Sequence, residues 1–176
     1  MCHAKLSAMK KLLILFIMFL AAVSLLYRQY GAKPSPEIHL HAGFQVYQNN
    51  VLQDFSDFKY MNIKPCDEDD IAHDDPANEQ NEKAHLHDKV GDVVHVHRAN
   101  VVWQDLFTNL NVTINPTTSA FINGQPISDF LQTPIQAYDS LVIFEGENQA
   151  IETKLKTAVT KDHILEVEKR SETCGT

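Results

Sequence analysis

Three His-x-His pairs, His39-Leu40-His41, His85-Leu86-His87 and His95-Val96-His97, each lie in a run that alternates polar with apolar residues. That period of two points all three segments to β-strands, because side chains two apart on a strand share a face. Each pair therefore presents two imidazoles side by side. In the first run Ile38, Leu40, Ala42, Phe44 and Val46 fall on one face, and His39, His41, Gly43, Gln45 and Tyr47 on the other. The expected arrangement is a sheet with its apolar side packed and its histidine side open.

The second and third pairs flank Asp88-Lys89-Val90-Gly91-Asp92, a hairpin turn in which Gly91 supplies the positive φ. With Gly91 at the midpoint, His85 faces His97 and His87 faces His95. Directly opposed side chains have Cβ atoms about 4.5 to 5.5 Å apart, so four imidazoles form a square. A one-residue slip would send one pair into the core.

Imidazole is the commonest protein ligand for zinc and copper. The expected metal ligands are His85, His87, His95 and His97, with His39 and His41 beside them, and Zn²⁺ and Cu²⁺ are equally suited to such a donor set. No carboxylate is placed by spacing as a general base and no Ser or Cys nucleophile motif occurs. If three histidines bound a metal and left a position to water, the site would be that of a metal-dependent hydrolase or oxidoreductase. A reading of another class is a protein-interaction or adhesion module whose histidine face responds to pH, since imidazole titrates near 6.5.

The rest of the chain frames this domain. Leu12 to Tyr27 is apolar apart from Ser24 and is bracketed by Lys5, Lys10, Lys11 and Arg28. Sixteen residues fall between a signal-peptide core of about 7 to 15 and a span of about 20. An uncleaved anchor over residues 1–28 is favoured over a cleaved signal, because Ala22-Val23-Ser24 is only a weak cleavage site. Beyond residue 28 lie eleven Lys and Arg against all 23 Asp and Glu, a net charge of −12. Basic residues before the span and an acidic body after it place the N-terminus inside and the domain outside the cytoplasm. Such a surface repels nucleic acid. Cys2 then stays inside, while Cys66 and Cys174 can pair outside or remain as thiols.

Residues 29–36, with Pro34 and Pro36, read as a stiff linker. The histidine-rich domain runs over 37–147 and a C-terminal helix and tail over 148–176. Gln48-Asn49-Asn50 is a turn, and Val51 to Tyr60 returns as an irregular strand or loop. Cys66 to Glu82, with His73 among eight carboxylates, reads as a solvated loop, and its spacing does not match an EF-hand. Asn100 is the expected N-cap of a helix carrying Trp103, Leu106, Phe107 and Leu110 on its apolar stripe. Val112 and Ile114 suggest a brief strand, Asn123-Gly124 a hairpin, and Leu141-Val142-Ile143-Phe144 a buried strand. Ile151, Leu155, Ala158 and Val159 recur at helical spacing.

This order, α+β with a mixed sheet and one covering helix, is similar to the β-grasp arrangement. Asp139 to Phe144 resembles the last strand of small sulfur-carrier proteins of that class, but their terminal Gly-Gly is missing, so a carrier role does not follow. The body from about 38 to 146 also resembles an uncharacterised family of membrane-anchored proteins from uncultured bacteria and archaea. The shared blocks are His39 to Tyr47, His85 to His97, the helix from Trp103 to Leu110 and the Asn123-Gly124 hairpin. The resemblance implies a histidine face and brings no activity. Where relatives carry a C-terminal cysteine pair, this chain has Cys174, with His163 in the other place.

Overall fold

The computed structural model describes residues 16, 18–20, 38–61, 80 and 83–171. The chain divides into two units, Met1–Pro36 and Glu37–Thr176. In the first, Phe16, Met18, Phe19 and Leu20 are helical and exposed. No helix of the described residues is long and apolar enough to cross a membrane. The rest of the anchor expected over Leu12–Tyr27 lies outside the described residues, as do Cys2, Cys66, Cys174, His73 and the carboxylates from Asp67 to Glu82.

The second unit is built on a seven-stranded mixed sheet. Strands β1 (Leu40–Gln48), β2 (Val51–Leu52), β3 (Ala84–His85), β4 (Val93–Val96), β5 (Ser119–Ile122), β6 (Gln125–Ile127) and β7 (Ser140–Glu145) are ordered β3-β4-β1-β7-β5-β6, with β2 paired to β1. Among these strands only β1 and β7 pair in parallel; the other strand pairs are antiparallel. Two asparagine turns close hairpins as their sequences predict. Asn49 and Asn50 both take positive φ between β1 and β2, and Asn123 and Gly124 do so between β5 and β6.

Alternation along β1 holds: Ala42, Phe44 and Val46 are buried on one face with Leu86, Val94, Val96, Leu141 and Ile143. Helix α1 (Trp103–Asn109) covers this face with Trp103, Leu106 and Phe107. Its cap is Val102, not Asn100, which takes a positive φ of 60° ahead of the helix. Val102 has no polar side chain, so Asp105 closes the turn instead, its carboxylate accepting the Val102 N–H at 3.1 Å. Asn109 at the other end donates to the Ala84 carbonyl at 2.7 Å, which ties the short edge strand β3 to the helix. Val112 and Ile114 form no strand, although Ile114 is buried.

The second face is covered too, which corrects the expectation of a sheet packed on one side only. Instead of one C-terminal helix there are two, α2 (Ile151–Leu155) and α3 (Lys161–Ser171). Ile151, Leu155 and Ala158 pack on Tyr47, Val142 and Phe144, while Val159, Ile164 and Val167 pack with Val93. The physical reason lies in β7, where Leu141, Val142, Ile143 and Phe144 are buried in succession. A strand apolar at every position must be covered on both sides. Gly43 admits this cover: a Cβ there would run into the Val159 side chain.

Candidate metal centre

The sheet register sets the site. In the β1–β4 pair His41 lies opposite His95, and in the β3–β4 pair His85 lies opposite the same residue. His95 is thus the middle of a row of three imidazoles on neighbouring strands, about 4.8 Å apart strand to strand. This corrects the expected pairing of His85 with His97 and of His87 with His95. The shift is two residues, so it preserves which face each side chain takes. The turn moves accordingly. Positive φ falls on Asp88 (57°) and Lys89 (59°), whereas Gly91 is needed for a close approach, its would-be Cβ lying 2.6 Å from the Phe55 carbonyl carbon.

The rings form one cluster around His95. His39 lies over His95 with centroids 4.3 Å apart and planes within 10°, and His97 lies over it at 4.4 Å and 15°. His41 meets His95 at 4.3 Å with a 57° tilt, and His87 meets it at 4.7 Å with a 51° tilt. The open histidine face is not what forms. His41, His95 and His85 are 1%, 2% and 7% exposed, and only His39 among the triad members is open to solvent.

Two groups of three ligand atoms come within 4.8 Å of one another: His39, His41 and His95, and His85, His87 and His95. Nitrogens bound tetrahedrally at 2.0 to 2.1 Å are about 3.3 Å apart. Small side-chain movements therefore bring either group onto an ion. His97 stacks on the cluster but belongs to neither triad. His163 stands apart, its Nε2 3.2 Å from an Asp92 carboxylate oxygen.

A chain of hydrogen bonds sets the tautomers. Asp88 Oδ2 lies 2.6 Å from His87 Nδ1, and His87 Nε2 lies 2.5 Å from His95 Nδ1. A carboxylate accepts only, so in the neutral ring the His87 proton is on Nδ1 and Nε2 accepts. His95 then donates its Nδ1–H to His87. The consequence is that His95 Nε2 carries a lone pair, and this atom is buried without a hydrogen-bond partner among the described residues. Leaving a buried acceptor unmet costs about 1 to 3 kcal/mol. Asp88 is a site residue that the sequence pattern presents only as part of a turn; its signal is its place directly after His85-Leu86-His87.

Burial keeps His41 and His95 neutral. It pushes His41 down to about 4, helped by the neighbouring His39, His87 and His97, and it pushes His95 well below the ordinary imidazole range, helped first by His97. A folded value below the unfolded 6.5 means that the unfolded chain binds more protons between those values. The stability is therefore present above pH 6.5 and is lost as pH falls toward 4. Denaturant titrations of the metal-free chain at pH 7.5 and pH 5 are expected to differ by about 2 kcal/mol from His41 alone, with His95 adding in the same direction. A His41→Gln variant should show a visibly flatter pH dependence, and an unchanged slope would contradict the assignment.

Compared with known protein families, with curated proteins and with solved structures, the chain matches none.

Proposed function

We propose that this protein is a membrane-anchored, extracytoplasmic metal-binding domain in which His39, His41 and His95 hold a zinc or copper ion. The observation that carries the reading is His95 Nε2, a buried lone pair without a donor among the described residues, on a ring that belongs to a triad whose ligand atoms lie within 4.8 Å. Polar groups of this kind are normally satisfied, and a metal ion satisfies this one. The neutral state of His41 and His95 supports it further, because an imidazole must be unprotonated to bind. The bound ion would supply Lewis acidity; the protein fixes the donor positions.

Around that triad, His87 and Asp88 act as supports. Asp88 orients His87, and His87 accepts from His95 Nδ1, so the ring is held with Nε2 directed as a ligand. Such outer partners typically contribute 10- to 100-fold in metal affinity. The placement outside the cytoplasm rests on Lys5, Lys10 and Lys11 before the apolar stretch and the acidic body after it. The β-grasp assignment is supported by the strand order: in β4-β1-β7-β5-β6 the parallel pair β1–β7 has antiparallel β4 beside β1 and the β5–β6 hairpin beside β7, and α1 lies between β4 and β5 in the chain.

The test is metal content. The full chain in detergent, loaded with Zn²⁺ or Cu²⁺ and dialysed, should retain metal by elemental analysis, and His95→Ala should retain far less. Asp88→Ala is expected to weaken binding by roughly 10- to 100-fold without abolishing it. Equal metal content in the parent and His95→Ala would remove the proposed ligand.

A further inference from the structure

His95 belongs to both triads, and its two nitrogens have different surroundings. Nδ1 meets His87 Nε2 at 2.5 Å, while Nε2 is buried with no hydrogen-bond partner among the described residues. An imidazole presents its nitrogens in divergent directions, so one nitrogen cannot serve both groups equally. With Nδ1 on the side of His85 and His87, the nitrogen that remains for His39 and His41 is Nε2.

We propose that the cluster is a two-ion site, in which His95 bridges one ion held by His39 and His41 through Nε2 and a second held by His85 and His87 through Nδ1. The proposal rests on the metal-binding reading above and extends it from one ion to two. The second ion takes the place of a proton. In the metal-free protein the Nδ1–H lies between His95 and His87; on loading, that proton leaves to solvent, the ring becomes an imidazolate, and both nitrogen lone pairs are donated. No electrons are transferred, so no oxidant or reductant is required.

Three features favour a pair of ions over one. Each triad independently gathers three donors within 4.8 Å. The two triads lie on opposite sides of β4 in the row His41-His95-His85, so the shared residue is the central one. Asp88 accepts from His87 Nδ1–H, which leaves the lone pair on His87 Nε2 to meet either the His95 Nδ1 proton or an ion. The negative charge of an imidazolate, unfavourable in a buried place, is balanced by the two cations it joins.

Copper alone is the probe, because imidazolate couples two Cu²⁺ spins antiferromagnetically. The full chain in detergent is titrated with Cu²⁺ and followed by elemental analysis and by electron paramagnetic resonance at liquid-helium temperature. The expected result is two copper ions per chain, with the integrated signal rising to one spin at the first equivalent and falling toward zero at the second. His85→Gln should then bind one ion and keep its one-spin signal at saturation. A single ion in the parent chain overturns the bridge and leaves the metal-binding reading standing. Two ions with two full spins overturn the bridge as well. No copper at all overturns both.

Discussion

Adding Zn²⁺ or Cu²⁺ to the metal-free chain is expected to raise the thermal midpoint of the domain by roughly 10 °C, and EDTA should reverse the rise. A ligand that binds only the folded state stabilises it by about 4 kcal/mol at free concentrations near 1,000 times its Kd. For a domain of this size each kcal/mol moves Tm by roughly 2 to 4 °C. In His95→Ala the metal-dependent increment should vanish, whatever the variant's own starting Tm. The increment is the informative quantity, since removing a buried ring also leaves a cavity, whereas removing the unmet Nε2 relieves a cost. A parent chain whose Tm does not respond to either metal would overturn the proposed function. An increment kept in His95→Ala would show that metal binds elsewhere.

Truncating Trp103 to alanine should cost about 3 to 5 kcal/mol, a large share of the roughly 5 to 15 kcal/mol that holds a domain together. The side chain is fully buried at the centre of the core between α1 and the sheet. Its indole Nε1 has no hydrogen-bond partner among the described residues. The Trp103→Phe variant therefore gives up no hydrogen bond and should be much milder, losing only contact volume. Equilibrium denaturation of the two variants checks both statements, and equal losses would contradict the account. Helix α1 also reaches the histidine cluster through Asn109 and Ala84, one residue before His85. Loosening the helix in Trp103→Ala should accordingly weaken the response to metal, while Trp103→Phe preserves it.

Much of the architecture was readable because local rules and tertiary packing agree. Alternation in Leu40–Gln48 identifies the strand and its two faces. The asparagine turns at Asn49-Asn50 and Asn123-Gly124 accept positive φ at little cost, which fixes two hairpins. The Trp103, Leu106 and Phe107 stripe faces the core as its spacing predicts. The cap differs from the Asn100 that the sequence suggests, because Asn100 serves a turn before the helix while Asp105 performs the closing role from inside it. Val112 and Ile114 alternate like a strand, yet the segment finds no sheet edge to pair with.

At the histidines the division is sharper. Period two decides that His39, His41, His85, His87, His95 and His97 share a side of the sheet, because parity is a property of the chain itself. Which rings meet is decided by register, and register depends on where the turn closes and what packs over it. A two-residue shift leaves parity untouched and replaces the expected square of four by two triads joined at His95. The burial of that face was likewise beyond local reasoning, since it requires Val159, Ile164 and Val167, more than a hundred positions from β1, to return over Gly43 and Val93. Alternation is carried by neighbouring peptide units, so the sequence alone determines it; desolvation and ring-to-ring contact arise from segments far apart in the chain, and only the folded sheet brings them together.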